Sequence, residues 1–429
     1  MATAISARDF VQIRDAARLL GVSEGTLRNW DRAGKLSALR HPVNGYRMYR
    51  VADLRAIVQE LANGVHEVGS SSAQMALPLL PESDNISASP VRVSADSAAA
   101  DLGQLHWSLA AALDPKHRPQ RWNTPSSTVR RDWRKYPQEA HVLDASETRY
   151  RRLIPREIAV LQGFDPAVVD IEGLTDRELI ASIGDAVPPP LAKALVTAIE
   201  QVKPLSPRTS VEICAGAGGL AEGAASAGLE HILLLDHSEV CGKLLRHRRS
   251  WSPERVTVAD VRQYDFTALR DRVGLLSGGP PCQPWSGSGL RRGSADPRDL
   301  LGNLPRVVAD IRPDVFLFEN VPGLASNENV DYLEFVVNSL RKPSEDLEYG
   351  AVVGRLNAAD YGVPQLRRRI FILGLRGESA SLAHRCFDIA ERLCSHRDPS
   401  TSGRGRQPWR TVGDAIGLLQ DPGGWRRWL

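Results

Sequence analysis

Cysteine is scarce in this sequence, and long apolar runs are missing. Five cysteines are spread over 429 residues and no two form a CxxC pair, so we predict neither a disulfide framework nor a structural zinc site. No apolar run approaches the roughly 20 residues that a membrane-spanning helix needs, and the N-terminus lacks the pattern of a signal peptide. We therefore expect a cytoplasmic protein that binds no metal ion and crosses no membrane.

Charge of one sign does not dominate the chain, but it is unevenly distributed. Lys and Arg number 54 and Asp and Glu 51, which leaves a formal net charge of +3. Residues 1–64 carry ten basic against six acidic residues, and residues 115–152 carry ten against four. These two segments are interpreted either as surfaces that contact a polyanion or as ordinary solvated faces.

The first 64 residues have the spacing of a helix-turn-helix. Apolar residues recur at helical intervals from Ile13 to Leu20, and after a Gly-Val-Ser turn a second helical spacing continues to Trp30. The segment resembles the winged helix-turn-helix of MerR-type regulators and excisionases, which implies DNA binding; a small protein-interaction module is the alternative. The side chains expected to contact DNA are Thr26, Arg28, Asn29 and, on a short hairpin, Arg47.

The rest of the chain divides by composition. Residues 65–114 are rich in Ser, Ala and Pro without a sustained apolar period, which predicts a flexible linker. Beyond it, strand and helix patterns alternate, which is typical of a mainly parallel sheet. We predict four parts: a helix-turn-helix domain (1–64), the linker (65–114), a segment that precedes the core (115–203) and an α/β core (204–429).

A glycine turn marks the start of the α/β core. The predicted strand 210–214 runs into the glycine-rich residues 215–220, where missing Cβ atoms let the backbone approach a cofactor. The next strand ends in Asp236, about 20 residues on, where a ribose-binding carboxylate belongs. A third strand, 256–258, leads to Asp260. Three strands ending in functional groups at one sheet edge predict an adenosyl site.

The strands that follow deliver groups suited to covalent chemistry. After the predicted strand 273–277, the run Gly-Gly-Pro-Pro-Cys-Gln places Cys282 on a stiff exposed loop with no packing role. The predicted strand 314–318 is followed by the carboxylate of Glu319. Farther on, Arg367 and Arg369 precede an apolar strand, and alternation predicts that they share one face.

Three blocks, GPPCQPWS, ENVPG and a QxRxR run, resemble the signature motifs of the cytosine C5-methyltransferase family and occur in its order. The resemblance implies a Rossmann-like S-adenosylmethionine-dependent methyltransferase fold of the α/β class, acting on double-stranded DNA. It implies that Cys282 is the nucleophile, Glu319 recognises the base, and Arg367 and Arg369 contact the substrate. The cofactor-binding residues that it implies are Cys214, Ala215, Gly216, Gly218, Gly219, Leu220, Asp236, Asp260, Pro280 and Asp185; Gln283 and Ser286 are expected to contact DNA.

The order of the motifs is unusual. Residues 150–164 and 183–192 resemble the two motifs that normally end this family, yet here they precede the glycine turn. The resemblance therefore implies a circularly permuted catalytic domain. At position 185 the family usually has Asn, and at position 214 many members have Phe.

A target-recognition domain normally follows the QxRxR strand in this arrangement, and the fifty or so residues after Gly374 are too few for one. We expect a separate recognition subunit or a truncated product, in a restriction or phage-defence system. Two alternatives remain: a DNA-binding regulator with a non-catalytic methyltransferase-like domain, and a tRNA cytosine methyltransferase.

Overall fold

A computed structural model describes residues 10–12, 16–17, 20, 24–32, 35–40, 47–50, 53–54, 119–131, 137–281, 300–401 and 405–427. They fall mainly into an N-terminal unit and a larger unit of residues 120–133 and 140–427, and each is described by itself. The predicted linker, the nucleophile and two expected DNA contacts lie outside the described residues: 65–114, Cys282, Gln283 and Ser286.

The N-terminal unit combines a helix with a small antiparallel sheet. Its elements are β1 (Phe10–Gln12), α1 (Glu24–Arg32), β2 (Leu39–Arg40) and β3 (Arg47–Arg50), and the strand order is β1-β3-β2. Leu27 of α1 packs with Tyr49 of β3, whose hydroxyl donates to the Leu27 carbonyl at 3.3 Å. A helix fastened to a strand wing in this way agrees with the predicted winged helix-turn-helix.

The larger unit begins with a hairpin and three helices: β4 (His141–Leu143), β5 (Arg149–Arg152), α2 (Pro155–Leu161), α3 (Asp176–Asp185) and α4 (Pro189–Val202). Proline starts α2 and α4, where the missing N–H would have had no helical partner. Thr175 and Glu178 form a capping box that begins α3, since each side chain accepts from the other's backbone N–H.

A buried ion pair joins β5 to α2. The Arg151 guanidinium donates to both carboxylate oxygens of Glu157, at 2.7 and 2.5 Å. Both side chains are almost fully buried, at 4% and 1% exposure. The Trp425 ring covers the guanidinium, with its centroid 4.7 Å away. The pair therefore links the helix to the hairpin in a site that is almost closed to solvent.

The rest of the unit is a seven-stranded sheet with helices between its strands. The elements, in chain order, are β6 (Thr209–Ile213), α5 (Gly219–Ser226), β7 (Glu230–Asp236), α6 (Glu239–Arg246), β8 (Val256–Val258), β9 (Leu275–Gly278), α7 (Leu304–Ile311), β10 (Val315–Asn320), α8 (Val330–Arg341), β11 (Tyr349–Asn357), β12 (Arg368–Arg376), α9 (Ala380–Arg392), β13 (His396–Arg397), β14 (Gln407–Pro408), α10 (Val412–Ile416) and β15 (Arg426–Arg427). Three of these strands lie outside the seven-stranded sheet: β13 and β14 pair with each other, and β15 pairs with β5.

The sheet order places a crevice at a defined point. The order is β11-β12-β10-β9-β6-β7-β8; β6 to β10 run parallel, and β12 is antiparallel to both of its neighbours. Chain order reverses between β6 and β9, and in such sheets ligands bind outside the carboxyl ends of the strands at the reversal. The topology therefore puts the glycine turn after β6 and the segment after β9 on one crevice.

Helices cover both faces of the sheet. Along β12, Phe371 and Leu373 pack with α4 and α9, whereas Ile370 and Ile372 pack with α7 and α8. This alternation is the one that a strand buried on both sides requires. The predicted α/β class, a mainly parallel sheet flanked by helices, is confirmed.

One stretch, Asp176–Val202, is apolar and long enough to span a membrane, but 72% of its window is buried inside the protein. The helix is also interrupted between Asp185 and Pro189. The apolar character of this stretch is therefore that of two helices in the protein core, α3 and α4.

Close packing joins α4, and the segment between α3 and α4, to the helix α5 that follows the glycine turn. A Cβ at Gly219 would lie 1.8 Å from the Val187 carbonyl oxygen, and one at Gly223 would lie 2.3 Å from the Ala192 Cβ. Only glycine permits these approaches. The segment that precedes β6 in the chain therefore forms one wall of the crevice.

Candidate active site and cofactor cavity

The turn after β6 has the backbone that its sequence predicts. Gly216 and Gly218 have φ of +56° and +77°, and Cys214 also has positive φ, at +51°. A Cβ added at Gly216 would meet nothing within 4 Å. Glycine is needed at Gly216 for its backbone conformation, and the missing side chain leaves open space beside the turn.

Asp236 at the end of β7 supports this turn. One of its carboxylate oxygens accepts from the Gly216 N–H at 2.8 Å and the other from the Ser238 N–H at 2.9 Å. Each oxygen keeps a lone pair for a further donor. The carboxylate is thereby held at the crevice with acceptor capacity left over.

A cavity of about 370 Å³ occupies the crevice, within the roughly 300–1,000 Å³ range of small-molecule sites. It extends from α3 across the glycine turn to Glu319. Its lining includes the predicted residues Cys214, Ala215, Gly216, Gly219, Leu220, Asp236 and Asp185, and also Arg131, Glu178, Ser182, Val187, Glu212, Ser238, Cys241, Gly279 and Pro281.

The cavity wall carries more acidic than basic side chains. Five carboxylates line it, those of Glu178, Asp185, Glu212, Asp236 and Glu319, and Arg131 is the sole arginine or lysine among the described lining residues. Such a wall favours a ligand with positive charge.

Glu212 is the least solvated of these acids. It is 2% exposed, and among the described residues none donates to its buried Oε2 atom. Burial, and then the nearby Asp236 carboxylate, raise its pKa well above the usual range. A buried acceptor without a partner on a cavity wall is suited to a donor on a ligand.

Glu319 and Arg369 form an ion pair at the far end of the cavity. Glu319 is the fifth residue of β10 rather than the residue after the strand, and Arg369 lies on the neighbouring β12. The Arg369 Nε atom is 2.7 Å from Glu319 Oε1, with both side chains about one-tenth exposed. A Cβ at Gly279 would lie 3.5 Å from Glu319 Oε2, so the segment after β9 passes directly over the carboxylate.

The expectation that Arg367 contacts substrate does not agree with its surroundings. Arg367 precedes β12 and is 1% exposed. Its guanidinium donates to the carbonyls of Val129 at 3.0 Å and Gly184 at 2.9 Å. Burial, and then the neighbouring Arg369, lower its pKa well below the ordinary value. With its donors directed at backbone carbonyls, Arg367 links three chain segments.

Three expected cofactor residues, Gly218, Asp260 and Pro280, are not in the cavity lining. Asp260 pairs with Arg262, whose Nε lies 3.0 Å from both carboxylate oxygens. These bonds hold the pKa of Asp260 at about 2. The Pro280 carbonyl accepts from the Asn320 side chain at 3.2 Å, so it anchors the segment after β9.

Sequence reasoning missed Arg131 and Cys241 on the cavity wall. Arg131 lies in the basic segment 115–152, whose excess of basic residues did not single out any one side chain. Cys241 follows Ser238, the cap of α6, and no motif singles it out.

The expected DNA contacts of the N-terminal unit lie on α1 and β3. Thr26 is partly buried and Asn29 is exposed. Arg28 lies on α1 and Arg47 is the first residue of β3. Asn29 is therefore the residue of this set whose exposure fits the expectation.

Two family models match parts of the chain. The family model for C-5 cytosine-specific DNA methylase matches residues 89–201 and 209–400, and that for MerR family regulatory protein matches residues 12–49.

Curated relatives are type II methyltransferases. M.PspPI of Psychrobacter is 39% identical over 178 residues, 41% of each chain. M.NgoMIV of Neisseria gonorrhoeae is 37% identical over 171 residues, 40% of this chain and 52% of its own. M.AquIA of Picosynechococcus is 30% identical over 222 residues, 49% of this chain and 88% of its own. The chain thus spans about half or less of the length of the first two relatives.

Proposed function

Because the chain belongs to the C-5 cytosine-specific DNA methylase family, we propose that it transfers a methyl group from S-adenosylmethionine to C5 of cytosine in double-stranded DNA. The observation that carries this proposal is one cavity whose lining includes both the glycine turn and Glu319, the acid that is paired with Arg369. Such a cavity brings a cofactor site and a base site into contact. The names of two relatives, both type II methyltransferases, support the same activity.

The cavity suits S-adenosylmethionine in shape and charge. Gly216 leaves space beside the turn, Asp236 is placed to accept from the ribose hydroxyls, and the Glu212 Oε2 atom is ready for a donor. The acidic wall complements a sulfonium cation. When bound, S-adenosylmethionine supplies an electrophilic methyl group.

The base end of the cavity suits addition chemistry on cytosine. In our proposal Glu319 bonds N3 and Arg369 holds O2, so that negative charge developing on the ring is stabilised. The thiolate of Cys282, next in the chain after the cavity-lining Pro281, adds to C6 and makes C5 nucleophilic. After C5 has taken the methyl, loss of its proton expels Cys282. Because C6 is covered in a stacked duplex, the cytosine is flipped out, at a cost of a few kcal/mol.

We also propose that the catalytic unit is circularly permuted. In support, Ala192 of α4 and Val187, just before α4, pack on Gly223 and Gly219 of α5. These residues precede the glycine turn in the chain. The proposed division remains 1–64, 65–114, 115–203 and 204–429.

Sequence recognition is proposed to need a second polypeptide. After β12 the described elements α9 and β15 pack back onto α4, β11 and β5, so they do not form a separate DNA-reading unit. The helix-turn-helix adds DNA contacts through Thr26, Arg28, Asn29 and Arg47, and Gln283 and Ser286 contact the target site. We place the protein in a restriction or phage-defence system.

The test is covalent trapping. Duplexes that carry 5-fluorocytosine should form a denaturation-resistant complex with the protein when S-adenosylmethionine is present, because C5 then has no proton to lose. Cys282→Ser should form no complex, and Glu319→Gln should lower the rate of complex formation by about 10²–10⁴-fold, the usual contribution of a positioned acid.

Matched variants separate the site from general damage. Cys394→Ser changes a thiol that hydrogen-bonds the Ala390 carbonyl outside the cavity, and Glu334→Gln changes an exposed acid of α8. Both should trap DNA at the wild-type rate. Trapping that persists in Cys282→Ser would overturn the proposal; trapping of tRNA in preference to duplex DNA would change the substrate.

A further inference from the structure

Arg131 stands out on the cavity wall because of its charge. Among the described lining residues it is the one arginine or lysine, and five acidic side chains line the same cavity. Its Nη1 atom lies 3.2 Å from Asp185 Oδ2, and both side chains remain more than half exposed. A guanidinium has five N–H donors, so this pairing leaves most of them available to a ligand.

The backbone that carries this ion pair is held tightly. A Cβ at Gly184 would lie 2.7 Å from the Arg130 carbonyl carbon and 2.8 Å from the Arg131 nitrogen. The two chain segments that carry Arg131 and Asp185 are therefore in direct backbone contact, which only a glycine at position 184 permits. Their separation is set by the fold and not by the exposed ion pair.

Arg367 fixes the same two segments from inside. Its guanidinium bonds the carbonyl of Val129, two residues before Arg131, and that of Gly184, one residue before Asp185. The Val129 N–H in turn donates to the Gln365 side chain at 3.0 Å. Both backbone groups of Val129 are thus bonded to the chain that leads into β12.

We infer that Arg131 binds the α-carboxylate of the cofactor, that Asp185 binds its α-ammonium group, and that Arg367 is the positioning residue for both. The inference rests on the proposed function, since it takes S-adenosylmethionine as the occupant. The cofactor has a single anionic group, and the described wall offers it a single arginine. At position 185 the family usually has Asn. Asp185 pairs with Arg131 when the site is empty and also pairs with the ammonium group of the cofactor when the site is filled.

The experiment measures affinity with and without the carboxylate. Dissociation constants for S-adenosylmethionine and for its decarboxylated analogue, which keeps the sulfonium and amine, are measured by calorimetry. The wild-type protein should prefer S-adenosylmethionine by about tenfold, the low end for a charge-assisted hydrogen bond at a half-exposed site. Arg131→Gln should lose this preference by weakening S-adenosylmethionine alone, and Arg131→Lys should keep part of it.

Arg156→Gln is the matched control. Arg156 forms an ion pair of similar exposure with Asp170 at 2.6 Å, outside the cavity, so its removal should leave the preference intact. If Arg131→Gln weakens both ligands equally, the assignment of the carboxylate is wrong. If the wild-type protein binds neither ligand, the proposed function fails instead.

The positioning role of Arg367 has its own readout. Arg367→Met removes the bonds to Val129 and Gly184 and should abolish the carboxylate preference, whereas Arg367→Lys, which can restore one bond, should recover part of it. Circular dichroism reports whether each variant is folded. A folded Arg367→Met protein with the full preference would overturn the positioning role.

Discussion

The buried Arg151–Glu157 pair allows a quantitative test of how the hairpin and α2 are held together. The test uses Glu157→Gln, Arg151→Met and the double variant. Each single change leaves one charge or polar group in a site that is at most 4% exposed. Breaking a buried pair from one side costs about 3–5 kcal/mol.

The structure predicts which variant is worse. In Glu157→Gln, Arg151 keeps the Trp425 ring at 4.7 Å and Asp421 Oδ1 at 3.5 Å, so we expect a loss near the lower limit, about 3 kcal/mol. In Arg151→Met, the described donor left to Glu157 is the Ile154 N–H at 3.1 Å. We expect about 5 kcal/mol there. The double variant should cost about 2–3 kcal/mol less than the sum, because the two groups are in direct contact.

The free energy of unfolding is measured by urea titration, with tryptophan fluorescence and circular dichroism as the two probes. It is taken from the transition of the larger unit, where the two probes should coincide. Arg156→Gln, which breaks an exposed pair, should cost less than about 1 kcal/mol. Single-variant losses as small as that control would refute the reasoning. A greater loss in Glu157→Gln than in Arg151→Met would refute the role of Trp425 and Asp421.

Two further predictions concern the crevice. Arg262→Gln should raise the pKa of Asp260 from about 2 toward its ordinary 3.8, as measured by NMR titration. Because the pKa of Asp260 is depressed in the folded protein, the stabilisation exists above about pH 4 and is lost as the pH falls through 2. An unchanged pKa would show that the Arg262 side chain is not its cause. Gly219→Ala should lower the free energy of unfolding by about 1–3 kcal/mol and weaken cofactor binding, because its Cβ would lie 1.8 Å from the Val187 carbonyl oxygen. Gly323→Ala, whose Cβ would meet nothing within 4 Å, should leave the free energy of unfolding unchanged. Equal effects of the two substitutions would contradict the clash at Gly219.

Local pattern was enough to locate most of the sheet. The strand predicted at 210–214 is β6 at Thr209–Ile213, and the one predicted at 256–258 is β8. Both are short runs bounded by turn residues, a local pattern that is typical of buried strands. The boundary near Glu319 was wrong, because pairing with β12 extends β10 to Asn320.

Side-chain roles set by distant contacts could not be predicted in the same way. Arg367 was expected on one face with Arg369, but the carbonyls that bury it come from Val129 and Gly184, 238 and 183 residues away in the chain. The sequence around Arg131 showed only a charge excess, because its ion-pair partner Asp185 is brought beside it by α3.

The small sheet at the edge of the larger unit has a topological consequence. β15 pairs with β5 on one side, and on the other side Gln120 bridges Val142 of β4. The first and last described residues of that unit therefore flank the same hairpin, about three strand spacings or roughly 14 Å apart. A tether of about five residues could close this gap and make the unit a continuous ring. Reopening the ring between α4 and β6 would produce a chain that starts at the glycine-turn strand and retains every contact of the crevice.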